Sequence, residues 1–103
     1  MKRDEALSKA RAFKRELLKR GLPVRQVLLF GSVAKGTADR RSDIDLAVVC
    51  DAFLPTRHEE NVEVSTARWN VDLRIQTFCL HPEDMENTYS TIAQEVKKHG
   101  ISV

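Results

Sequence analysis

Residues Val27–Val49 read VLLFGSVAKGTADRRSDIDLAVV. The opening run, Val27–Phe30, is short, apolar and stopped by Gly31, which predicts a buried strand. Gly31-Ser32 then sits at the strand exit, with a short helix expected over Val33–Gly36. Backbone N–H groups at a helix start lack partners and suit a phosphate. Glycine lets the phosphate come close to the chain, and the Ser32 hydroxyl adds a donor. Ten residues separate Ser32 from Asp43 in Ser42-Asp43-Ile44-Asp45, which opens a second strand, Ile44–Cys50. Asp43 and Asp45 stand two apart, so their carboxylates share one face while Ile44 and Leu46 enter the core. Two like charges about 5 Å apart repel by roughly 3 kcal/mol at an effective dielectric near 20. A divalent cation reverses that sign, so the pair beside a phosphate-cradling turn predicts a site for metal and nucleoside triphosphate.

The spacing from Gly31 to Gly36 also matches the start of a P-loop, which continues with Lys and Ser or Thr. Here Thr37 and Ala38 follow and Lys35 is misplaced, so the P-loop reading is rejected.

Gly31-Ser32, Asp43 and Asp45 stand at the positions of the G-S-x10-D-x-D signature, and the chain resembles the DNA polymerase β-like nucleotidyltransferase superfamily. At 103 residues it is most similar to the minimal nucleotidyltransferases, the MNT proteins found as antitoxins beside HEPN toxins. The resemblance implies an α+β (α/β two-layer) nucleotidyltransferase fold, with a small mixed sheet of three to four strands flanked by helices. It further implies AMP transfer from ATP with Mg²⁺, two ions being expected, onto a hydroxyl of a partner protein, a HEPN RNase toxin. Asp43 and Asp45 would bind both ions, and Gly31 and Ser32 the phosphates. In the superfamily a third carboxylate on a following strand completes the metal site, and the resemblance gives Asp72 that place as ligand and as the catalytic carboxylate that takes the acceptor's proton. Lys35 and Arg74 are each read either as phosphate contacts or as surface residues.

The remaining chain fits this frame. One hundred and three residues form a single domain, 1–103, with one modest core. No apolar stretch reaches the roughly 20 residues of a membrane span, and the charged N-terminus is unlike a signal peptide, so a cytoplasmic protein is expected. Net charge is +2, with eight Lys/Arg against three acids in residues 1–20 and four against eight in 59–103. The basic segment could meet a nucleic-acid phosphate backbone or an acidic protein, but it reads as a solvated helix face because its basic and apolar positions interleave with helical period. Cys50 and Cys79 lack metal-ligand spacing and read as reduced core residues. His58 reads as a surface residue and Asp51 as an exposed loop acid.

Residues Arg3–Arg20 predict an amphipathic helix in which Leu7, Ala10, Phe13/Lys14 and Leu17/Leu18 recur at three- and four-residue steps, ended by Gly21 and Pro23. A polar loop is expected through Asp39-Arg40-Arg41. The stretch 57–68 is read as a helix with Val62, Ala67 and Trp69 to bury, although Val62 and Val64 alternate with acids as in a strand. Val71–Phe78 alternates apolar and polar residues, predicting a half-exposed strand; beside Ile44–Cys50 it would bring Asp72 to the face of Asp43 and Asp45. His81 starts a last helix whose inner stripe is Met85, Tyr89, Ile92, Ala93 and Val96, with Gly100 at its end. Only about 30 residues follow Asp72, too few to wall in ATP. A partner chain or a second copy would supply the missing walls. Two other readings are an idle binding module that blocks a toxin sterically, and an adenylyltransferase acting on a small molecule of the aminoglycoside type.

Overall fold

The computed structural model describes residues 2–36, 43–87 and 89–103. Helix α1 (Arg3–Lys19) is followed by β1 (Val24–Phe30), the short helix α2 (Gly31–Lys35) and β2 (Ile44–Cys50). Helix α3 (Arg57–Ser65) runs into a 3₁₀ turn (Thr66–Asn70) and leads to β3 (Ile75–Leu80). A second 3₁₀ turn (Pro82–Glu86), α4 (Thr91–His99) and β4 (Ile101–Ser102) complete the order. The polar loop expected through Asp39–Arg41 lies outside the described residues.

The four strands form one mixed sheet in the order β3-β2-β1-β4. β1 runs antiparallel to β2 and to β4, and β2 runs parallel to β3. A parallel neighbour needs a crossover, and α3 supplies it. β2 is apolar at every position except Asp45, so both of its faces demand cover. On one face Val27, Leu29, Ile44, Leu46, Val48 and Ile75 meet Ala6, Ala10, Phe13 and Leu17 of α1 and Val64 of α3. On the other, Leu28, Phe30, Ala47, Val49 and Leu80 pack with Val96 of α4.

Helix α1 begins with Asp4 and Glu5 and ends in Lys19, charges that suit its dipole. Gly21 follows with φ +75°, the left-handed residue that terminates it. The ambiguous stretch after Pro55 is helical because Thr56 caps it: its hydroxyl accepts from the Glu59 backbone N–H at 3.1 Å. Val62 and Trp69, expected inward, are 49% and 70% exposed, and α2 begins at Gly31 rather than Val33. Two segments differ further from the sequence reading. The strand expected from Val71 starts at Ile75, because residues 71–74 form a turn in which Asp72 accepts from the backbone N–H of Arg74 at 2.9 Å. The last helix is split. Asn87 accepts from the Tyr89 N–H at 2.9 Å and Ser90 from the Ala93 N–H at 3.2 Å, so α4 starts only at Thr91. Tyr89, expected inward, is thereby 95% exposed.

Candidate active site at the Gly31 turn and the β2 start

β1 delivers its last residue, Phe30, directly opposite Asp45 of β2. Gly31 therefore begins α2 against that carboxylate. Its φ is +75°, and a Cβ built there would collide with Asp45 Oδ2. Only glycine meets both conditions, the left-handed backbone and the close approach. The turn and the acid pair, separated by a dozen residues of chain, are thus one local structure. Gly36 closes α2 with φ +78°, and the Arg3 guanidinium donates to the Ala34 carbonyl at 2.7 Å, tying α2 to α1.

Asp43 is exposed at the entry to β2, and Asp45 is half-buried one pleat further on. Burial, reinforced by the charge of Asp43, pushes the Asp45 carboxyl above the usual carboxylate range. Phe30 lies beneath on the same face and meets Phe78 edge to face, with ring centroids 5.3 Å apart. The site is a pair of acids on an apolar floor beside a glycine turn.

Asp72 is not brought to this pair. The parallel register sets Asp45 opposite Gln76, so a strand extended back to residue 72 would overshoot Asp45 by four residues and Asp43 by two. The chain instead turns, and Asp72 pairs with Arg74 at 2.8 Å and with Lys9 of α1 at 3.8 Å, on the α1 side of the sheet. The bidentate Arg74 contact is the main cause that holds the Asp72 carboxyl down to about 2. Arg74 is thereby committed to Asp72 and Glu5. Lys35 is also engaged, its ammonium lying 2.6 Å from Glu95 of α4. Among the described residues, no group of three or more His, Cys, Asp or Glu is placed to hold a metal ion.

The residue that shares the site with the acids is Gln76, whose Nε2 donates to Asp43 Oδ2 at 2.8 Å. Its signal in the sequence was parity: it falls on the same alternating face as Asp72, but level with the acids. Two carboxylates are hard oxygen donors, and Mg²⁺ is commonly held by one or two of them together with substrate phosphates. Asp43 and Asp45 therefore fit such an ion without a third acid.

The fold is shared with solved toxin–antitoxin structures. A toxin–antitoxin with AMP-PNP aligns with a TM-score of 0.54 and 24% identity, over 86% of this chain and 67% of that one. The toxin–antitoxin MntA-HpeT bearing two aspartate-to-glutamate substitutions aligns with a TM-score of 0.55 and 23% identity, over 90% of this chain and 70% of that one. No curated protein matches the chain. The nucleotidyltransferase domain family matches residues 10–101, from α1 through the site to β4, and the chain belongs to that family.

Proposed function

We propose that this protein is a metal-dependent nucleotidyltransferase of the MNT type, moving AMP from ATP onto a hydroxyl of a partner protein. The observation that carries the reading is the contact of Gly31 with Asp45, which joins a glycine turn to a metal-suited acid pair. Asp43 and Asp45 would hold the ion, Mg²⁺ by its donor set, with the triphosphate against Gly31 and Ser32. When bound, the ion supplies charge neutralisation at the phosphates and lowers the barrier to hydroxyl attack. The acceptor oxygen forms a bond to the α-phosphorus as the bond from that phosphorus to the β-phosphate bridge breaks. Pyrophosphate leaves, and the hydroxyl proton passes to a carboxylate of the pair or to water.

The likeness to toxin–antitoxin structures supports a toxin as the partner, and the MNT resemblance supports a toxin of the HEPN class. A partner surface also answers the site's open flank, where Asp43 and Gln76 are exposed. Steric neutralisation without transfer is the second reading, favoured by the amide at position 76 where a third acid would strengthen metal binding.

The test uses ATP labelled on the α-phosphate, Mg²⁺, the purified protein and a lysate of its own cell. The reading predicts label on one protein, absent when the γ-phosphate carries the label and lost in Asp43→Asn. No transferred label, with toxin neutralisation surviving Asp43→Asn with Asp45→Asn, would establish the steric reading instead.

A further inference from the structure

Gln76 is the β3 side chain that stands level with the acid pair. It lies opposite Asp45 in the parallel register, so it leaves the sheet on the Asp45 face. Further along that face, Phe78 and Leu80 are packed into the α4 cluster. Gln76 is exposed, and its amide reaches across to Asp43 Oδ2 at 2.8 Å. Glutamine and glutamate have nearly the same shape, so the residue chosen here sets the charge of the site and whether an N–H reaches Asp43. Asp72 cannot make up the difference, because Arg74 and Lys9 hold it on the opposite side of the sheet.

We propose that Gln76 is the third member of the site among the described residues, a positioning residue that fixes Asp43 through its amide N–H and leaves Asp43 and Asp45 as the described carboxylates there. The site then takes a divalent cation as its complex with nucleotide phosphates rather than as the free ion. Cation affinity follows ligand charge and ligand number. Two acids leave most of an octahedral shell to water and phosphate oxygens. An acid at position 76 would add a charged oxygen ligand and let the protein hold the ion alone. The inference rests on the nucleotidyltransferase reading of the same acid pair, and it concerns what that pair binds first.

The experiment is a titration of Mn²⁺ into the purified full chain without nucleotide, followed by paramagnetic resonance of the free ion. Wild type is expected to bind weakly, and Gln76→Glu at least about tenfold more tightly. Apo Gln76→Glu should melt lower than wild type and gain more from added Mg²⁺, since a third acid adds repulsion that the ion relieves. Gln76→Leu, which keeps the bulk and loses the N–H, should weaken Mg²⁺-ATP binding without tightening free Mn²⁺. The assignment is overturned if Gln76→Glu binds Mn²⁺ no more tightly than wild type, or if wild type already binds the free ion as tightly as that variant. Should wild type still bind Mg²⁺-ATP in an Asp43-dependent way, the failure belongs to Gln76 alone. If neither protein shows Asp43-dependent binding of cation or nucleotide, the acid-pair site falls with it.

Discussion

Gly31 carries two demands at once, and each has a measurable consequence. An L-residue at φ +75° is strained by about 1–2 kcal/mol. The Cβ of that residue would also displace the Asp45 carboxylate, which is a polar side chain with an apolar floor behind it. Gly31→Ala should therefore lower stability by about 2 kcal/mol and weaken Mg²⁺-ATP binding by at least about tenfold, readable by thermal melting and calorimetry. A variant that loses stability but keeps full nucleotide affinity would show that the turn is structural only. The Gly-Ser and D-x-D residues were legible in sequence because a strand end, a glycine and a two-residue carboxylate spacing each have local physical meanings. Gln76 was not, because its role depends on register between two strands far apart in the chain. Parity survives from sequence to structure, whereas level along a neighbouring strand does not.

At the scale of elements, the strands and helices with strong caps or unbroken patterns emerge where the sequence places them: β1, β2, α1 and the helix after Pro55. The two differences arise where short polar side chains bond to nearby backbone. Asp72 in one segment, and Asn87 and Ser90 in the other, offer the chain an alternative to strand or helix. Pattern alone gives Tyr89 an inward place, and the Ser90 cap removes it. The turn before β3 also makes a pH-dependent contribution. Asp72 is held at about 2 against an ordinary value of 3.8, so the folded state binds its proton less readily than the unfolded chain. Its contribution is complete above pH 4 or so and is lost as pH falls through that interval toward 2. Asp72→Asn should cost about 1 kcal/mol at neutral pH, a value reduced by solvent screening, and flatten the acid limb of the stability profile. An unchanged limb would place the acid sensitivity elsewhere, Glu60 being one other carboxylate held below its usual range: burial opposes its ionisation, but the Phe53 N–H and His81 bonds outweigh it.

Across the whole molecule, one face of the sheet is given to stability and one end of the other face carries the candidate site. α1 and α3 bury the larger cluster, including Phe13, Leu17 and Leu46, with no acid of the candidate site among them. The acids emerge on the α4 side, where β2 begins and the glycine turn of β1 arrives from the antiparallel direction. The antiparallel pairing is what makes a strand end meet a strand start, and so brings the Gly31 turn beside Asp45. The most direct measurement of this account is calorimetric titration of a non-hydrolysable ATP analogue, with and without Mg²⁺, into wild type and Asp43→Asn with Asp45→Asn. The account predicts binding that requires Mg²⁺ and disappears in the double variant while its fold, by circular dichroism, is retained. Equal binding by wild type and the double variant, or no binding by wild type in Mg²⁺, would contradict it.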